Sequence, residues 1–326
     1  MSAAYAIMTV RKGFPPQGGS WHGEAVTDEG AFVTRRNPSS ASLCSAPSPL
    51  WGEGYKGVCS MFNTIGFIGC GNMGGAMARA VRVSGPEVEL FFANRSPDKA
   101  QTLARELVGH VQTNEWVAQN CSLIFLGVKP QLMGAVLADL APAFAARKDR
   151  FVLLTMAAGL TTQTIREMAG GEYPVARIMP NTPCAIGAGV VQLCCLDVTD
   201  SEKEELKLLL SGAGLVDELD ESLIDAACAV SGCGPAFAYL FLDALAQGGV
   251  SCGLPEEKGL LYAAKMLEGA ARLAAQSDKT PEQLRQAVCS PGGATIQGVH
   301  ALEQAKFSDT VMEAVKAAYN RTLELK

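Results

Sequence analysis

Thr64-Ile65-Gly66-Phe67-Ile68-Gly69-Cys70-Gly71-Asn72-Met73-Gly74 decides the fold. Thr64–Ile68 is a short apolar run of strand length, and Met73–Val83 carries apolar residues at helical spacing. Between them Gly69, Gly71 and Gly74 form a glycine-rich turn. Glycines at these positions permit a tight turn and let a pyrophosphate approach the backbone, where a helix N-terminus offers N–H donors and a positive dipole. Such a turn means little alone, but between a strand and a helix it predicts a dinucleotide-binding site, with Gly69, Gly71, Asn72, Met73 and Gly74 in contact with the cofactor.

Outward from this turn, strands are expected at Val88–Ala93, Leu123–Val128, Phe151–Thr155 and Val175–Ile178. Helices are expected at Pro97–Leu107, Gln131–Phe144 and Thr161–Met168. This alternation predicts an α/β, Rossmann-type parallel sheet covered on both faces. After Asp217–Glu221 the pattern turns almost wholly helical, with alanine-rich stretches at Pro235–Gly248, Glu256–Ala275 and Asp309–Leu325. The domains expected are therefore 61–221, a dinucleotide-binding α/β domain, and 222–326, an all-helical domain. So thin a helical core predicts completion by a second subunit. The apolar stretch Val230–Gly253 is interrupted by Gly, Pro and Asp243 and reads as a buried interface helix rather than a membrane span.

Residues 1–60 show neither apolar period, as in Pro15-Pro16-Gln17-Gly18-Gly19, and are expected to be disordered or a non-native extension, the natural start being Met61. Glu24, Asp28, Glu29 and Glu53 spoil an acid-poor transit signal, and no apolar signal core is present, so a cytoplasmic location is expected. A net charge of −6 over 326 residues speaks against general affinity for nucleic acid or anionic membrane. The eleven cysteines form no CxxC and are odd in number, which reads as free thiols in a reducing compartment. Histidine occurs only at His22, His110 and His300, without metal-ligand spacing, so no metal site is expected.

The second strand ends in Asn94-Arg95-Ser96. A site that prefers NAD(H) carries a carboxylate about twenty residues beyond the glycines, for the ribose hydroxyls. Amide, guanidinium and hydroxyl suit a 2′-phosphate instead, so NADP(H) is expected, with NAD(H) the weaker alternative. Asn94 and Ser96 could also cap the helix beginning at Pro97. Later strand ends carry Val128-Lys129-Pro130 and Ala157-Ala158-Gly159, which should face the cofactor as well. Asn114 and Asn181 complete the candidate cofactor contacts.

Two glycine-rich segments, Ser231-Gly232-Cys233-Gly234-Pro235 and Ser290-Pro291-Gly292-Gly293-Ala294-Thr295, read as helix starts whose N–H donors suit a small carboxylate. Met179-Pro180-Asn181-Thr182-Pro183 sets polar residues between prolines at a strand end.

Together with Phe67–Gly75, Val128-Lys129-Pro130-Gln131, Gly253-Leu254-Pro255 and Ile296, these segments resemble the pyrroline-5-carboxylate reductase family in order and spacing from about Ile65 to Leu325. The resemblance implies a Rossmann domain joined to a helical dimerisation domain, dimers assembling into a ring, and NADPH-dependent reduction of a cyclic imine to proline. It places the substrate against Ser231, Gly232, Cys233, Gly234, Gly292, Gly293, Ala294 and Thr295, with Thr295 as a candidate proton donor. The chain departs from the family at Cys228, Cys233 and Phe237, where threonine, serine and tyrosine are common. Another NADP-dependent imine or β-hydroxyacid reductase remains an alternative, although Lys258 and Lys265 fit no catalytic lysine motif. A non-catalytic NADP-binding protein is the third reading.

Overall fold

The computed structural model describes residues Met61–Glu324; the expectations for residues 1–60, Cys44 and Cys59 among them, lie outside the described residues. The first strand, β1 (Thr64–Ile68), leads through the glycine turn into α1 (Asn72–Ser84). β2 (Glu89–Ala93), α2 (Pro97–Leu107), the two-residue β3 (His110–Val111) and α3 (Asn114–Asn120) follow. Next come β4 (Leu123–Leu126), α4 (Pro130–Ala145), β5 (Val152–Thr155), α5 (Thr162–Ala169) and β6 (Val175–Pro180).

These six strands lie side by side in the order β3-β2-β1-β4-β5-β6, all parallel. That is the doubly wound order whose switch point falls between β1 and β4. The strands are apolar on both faces because both are covered. Phe67, Phe92, Phe125 and Leu154 face one core with Met77 and Val81 of α1, whereas Ile68, Phe91, Ile124 and Leu153 face the other with Val117, Leu137 and Ile165.

The sheet is not wholly parallel, as the sequence pattern implied. β7 (Gly189–Leu196) runs antiparallel to β6, and β8 (Gly214–Glu218), reached through α6 (Asp200–Leu210), pairs parallel to β7. Only a single 3₁₀ turn, Thr182–Ile186, joins β6 to β7, and a parallel crossover needs a dozen residues or more. The chain must turn straight back.

Beyond Glu218 the chain is helical. α7 (Ile224–Ala227), a π-helical turn over Cys228–Gly232 and α8 (Gly234–Ser251) succeed one another without a break. α9 (Glu256–Gln276) packs back on α8, close enough that a Cβ on Gly259 would lie 2.9 Å from the Ala246 carbonyl oxygen. α10 (Pro281–Ala287), α11 (Ala294–Gln304) and α12 (Phe307–Leu323) complete this region, and α12 returns to pack on α7 and the π-turn.

The run Glu221–Ser251 is long and apolar enough to cross a membrane by length and composition, and 11% of its most apolar window is buried in the single chain. This helix, expected to be buried at an interface, is largely uncovered among the described residues of the single chain. Tyr239, Leu240, Leu260, Leu261 and Tyr262 are exposed with it.

Candidate active site

The glycine turn is built as its sequence requires. Gly69 sits at φ +102° and donates its N–H to Ala93 O at 2.8 Å. A Cβ on Gly69 would lie 2.6 Å from the Gly127 carbonyl carbon, and one on Gly74 only 2.3 Å from Gly69 O. These two glycines fold the turn against the β4 strand end. Gly71 differs: among the described residues, its chain neighbours aside, no atom lies within 4 Å of a Cβ built there. It precedes α1 with no side-chain cap and no acidic residue in the first turn. The open cradle and uncapped helix start fit a pyrophosphate at the switch point.

Asn94 braces this turn from the β2 end. Its Oδ1 accepts from Cys70 N–H at 3.0 Å while its Nδ2 donates to Ser96 O at 2.9 Å. The helix-capping alternative is not realised by side chains, because Ser96 precedes α2 without a capping hydrogen bond. Arg95 and Ser96 are exposed beside the turn, where a 2′-phosphate would meet a guanidinium and a hydroxyl and no carboxylate from Asn94. A cavity of about 290 Å³ opens from Cys70, Gly71 and Asn72 toward Arg79, Asp98, Lys99 and Thr102, so two cations and one carboxylate line it. Burial pushes the Cys70 thiol up to about 11, so it is an inert wall of the turn.

The remaining cofactor candidates are distributed along the strand ends. Val128 and Pro130 are partly buried and Lys129 is exposed, preceding α4. Asn114 is the first residue of α3, which is capped by Thr113 Oγ1 accepting from Trp116 N–H at 3.0 Å. After β5, Ala157 N–H donates to Thr155 Oγ1 at 3.2 Å, and Gly159 turns the chain at φ +77°. Ala158 packs on the cluster of Met179, Cys194 and Ile224, on which Cys228 of the π-turn also packs.

Asn181 takes a different part from the cofactor contact expected of it. It is 7% exposed, its Nδ2 donates to Ser231 O at 3.0 Å, and its Oδ1 accepts from Val190 N–H at 3.0 Å. The amide is spent in joining the β6 end to the π-turn. Ser231-Gly232-Cys233-Gly234 likewise does not open a helix; it lies within a continuous one. Cys233 donates its N–H to Cys228 O, five residues back, at 3.0 Å, so that donor is spent inside the helix. Ser231 Oγ accepts from Gln192 Nε2 at 2.8 Å and donates to Ala227 O at 2.9 Å. A Cβ on Gly232 would meet the Cys228 sulfur at 2.8 Å. Burial raises the Cys228 thiol to about 11. Single π-turns inside α-helices concentrate at functional sites.

The other glycine-rich segment is a helix start, as its sequence implied. Gly292 sits at φ +72° and Gly293 precedes α11 with no side-chain cap and no acidic residue in the first turn. Gly293 N–H is taken by Ser290 O at 3.0 Å, which leaves Ala294 and Thr295 as the first helical N–H groups. Ala294 and Thr295 are exposed, and among the described residues no hydrogen bond links Gly292–Thr295 to Ser231–Gly234.

Sequence reasoning missed Gln192 and a buried ionic cluster behind the π-turn. Arg177 of β6, 1% exposed, pairs with Glu221 at 3.2 Å and Asp225 at 2.9 Å. Glu221 also accepts from the N–H and Oγ1 of Thr162, each at 2.8 Å. The available signals were an arginine and a glutamine within otherwise apolar strands. Lys258 is exposed, and Lys265 is paired with Glu268 at 2.7 Å on an open helix face. No group of three or more metal-ligating side chains occurs, and nine cysteines are free, among the described residues.

The doubly wound sheet, the open glycine cradle at its switch point and the carboxylate-free strand end define a dinucleotide-binding oxidoreductase with a helical C-terminal region. Residues 221–325 match the family described as pyrroline-5-carboxylate reductase dimerisation, and residues 64–159 match NADP oxidoreductase coenzyme F420-dependent. A pyrroline-5-carboxylate reductase 3 of Danio rerio is 38% identical over 264 residues, covering 80% of this chain and 91% of the relative. The chain belongs to the pyrroline-5-carboxylate reductase family. The Pisum sativum pyrroline-5-carboxylate reductase is 37% identical over 80% of this chain and 96% of its own. Among solved structures, the NADP-bound pyrroline carboxylate reductase of Plasmodium falciparum aligns with a TM-score of 0.72 at 31% identity, over 80% of this chain and 97% of that one.

Proposed function

We propose that this chain reduces 1-pyrroline-5-carboxylate to L-proline, the last step of proline synthesis, with NADPH as the hydride donor. The observation that carries the reading is the open Gly71 cradle beside Asn94-Arg95-Ser96 in a chain of this family. When bound, the dinucleotide supplies the hydride; the chain supplies position and electrostatics. Gly69, Gly71, Asn72, Met73 and Gly74 cradle the pyrophosphate, with Asn94 locking their turn. Arg95 and Ser96 hold the 2′-phosphate, and Val128-Lys129-Pro130, Asn114 and Ala157-Ala158-Gly159 border the rest.

The substrate carboxylate belongs at the start of α11, where the N–H groups of Ala294 and Thr295 and the helix dipole favour an anion. The edge Gly232–Cys233–Gly234 walls the imine ring. Thr295 Oγ is the hydroxyl placed to exchange a proton with the ring nitrogen, unless the substrate arrives as the iminium. Lys265 is tied to a surface carboxylate, which speaks against a β-hydroxyacid mechanism that relies on a helix lysine.

Residues 61–221 form the NADP-binding domain and 222–326 the substrate and dimerisation domain. The uncovered α8 and α9 surfaces fit a homodimer, with dimers joining into a ring, rather than a membrane or nucleic-acid partner, and the location is cytoplasmic.

The test is NADPH oxidation with pyrroline-5-carboxylate, followed by absorbance, in the full chain and in a chain starting at Met61. Rapid oxidation by both is expected, with NADH slower. Gly293→Asp, which sets a carboxylate beside the proposed anion site at the start of α11, should raise the imine KM by about tenfold or more without changing NADPH affinity. No oxidation by folded protein that binds NADPH would sink the assignment.

A further inference from the structure

Gln192 is the polar exception in the buried stretch Val191-Gln192-Leu193-Cys194 and is 4% exposed. Desolvating an amide is costly unless its hydrogen bonds are kept. A position that only filled the core would be served better by Leu or Val. The return on that cost is a single contact, Nε2 donating to Ser231 Oγ at 2.8 Å. Among the described residues the amide's Oε1, also buried, has no hydrogen-bond partner.

The contact has a directional effect. A serine hydroxyl has one proton, and because Gln192 supplies a donor, Ser231 gives that proton to Ala227 O at 2.9 Å. Back-bonding of this kind to the carbonyl four residues earlier bends and loosens an α-helix. Ser231 itself lies within the i, i+5 turn, which Cys233 N–H closes on Cys228 O. Asn181 grips the Ser231 carbonyl oxygen from the facing strand β6.

We infer that Gln192 is a positioning residue: by orienting the Ser231 hydroxyl it holds the π-turn open and so sets the Gly232–Gly234 edge against the imine. This rests on the substrate reading proposed above.

Two variants test it in the full-length protein. Gln192→Leu keeps the bulk and removes the donor. It should raise the imine KM about fivefold, the scale of one neutral hydrogen bond, with NADPH KM unchanged. Amide hydrogen exchange over Cys228–Gly234 should quicken by a similar factor while β6 and β7 stay protected. In Gln192→Glu a protonated carboxyl can still donate to Ser231, whereas the carboxylate can only accept and draws the hydroxyl away from Ala227. The variant-to-wild-type ratio of imine KM should therefore stay near one at low pH and climb as the buried carboxyl ionises. Asp217, paired in register on β8, and Arg177, Glu221, Asp225, Cys194 and Cys228 are present in both proteins; their charges shift the pH at which the new carboxyl ionises but not the direction of the change.

Unchanged exchange and unchanged imine KM in Gln192→Leu, with only a lower Tm, would overturn the inference. A pH-independent ratio in Gln192→Glu would do the same. If the wild type consumes no imine acid, the activity assignment falls, and the exchange measurement alone decides for or against Gln192 as the brace of the turn.

Discussion

At the residue scale, the glycines of the nucleotide turn serve two masters that mutation can separate. Gly74 is required by the protein, since a methyl there would overlap Gly69 O at 2.3 Å. Gly71 faces open space and is required only by what binds there. Gly71→Ala should leave Tm nearly unchanged and weaken NADPH binding at least tenfold by calorimetry, whereas Gly74→Ala should lower Tm and cofactor affinity together. A fall in Tm for Gly71→Ala equal to that of Gly74→Ala would show that the cradle is only a packing feature. Arg95 is the exposed cation at the β2 end, and a charge-assisted contact to phosphate is worth about 1.5–3 kcal/mol. Arg95→Ala should therefore raise the NADPH KM by about 10- to 100-fold and move that for NADH little. Steady-state kinetics with both cofactors gives the ratio directly.

At the scale of single elements, α6 is held at its start by a capping box. Thr199 Oγ1 accepts from Glu202 N–H at 3.3 Å, and Glu202 accepts from Thr199 N–H at 2.8 Å and from Arg150 at 2.6 Å. Burial alone would raise the Glu202 carboxyl, but the Arg150 and Thr199 hydrogen bonds outweigh it and hold it below the ordinary glutamate range. A depressed carboxyl stabilises the fold above its unfolded pKa and stops doing so as pH falls through the folded value. Glu202→Gln should cost about 1 kcal/mol near neutral pH, and its deficit in denaturant melts should shrink below about pH 4.

β1 and α2 were legible in the sequence residue for residue, since each stands between its own turn signals. The antiparallel return of β7 was not, because Gly189–Leu196 mixes Gly, Gln and Cys without a clean period. α6 was readable from Thr199 and Glu202 yet sits outside the strand–helix alternation that organised the reading. The glycine cradle is a local feature and showed itself in eleven residues of text. The link from Gln192 to Ser231 spans 39 positions, and no local pattern encodes it.

At the scale of the molecule, the apolar faces of α8 and α9 are without cover among the described residues, with Leu240 73% exposed. An aqueous protein rarely keeps a continuous apolar surface of this kind bare. Sedimentation at falling concentration should find a dimer or a multiple of it, for the full chain and the Met61-start chain alike; a monomer at micromolar concentration would contradict the proposed assembly. The π-turn lies upstream of that face. One residue added to a helix advances everything after it by about 100° around the axis, so the compass bearing of α8 is set at the turn to which the proposed function gives the substrate edge. Were the turn to tighten into regular α-helix, the apolar stripe would swing away from its mate. On the function proposed above, an imine acid seated on the Gly232–Gly234 edge and a second subunit on α8 would be two readings from one dial, each steadying the other by reciprocity.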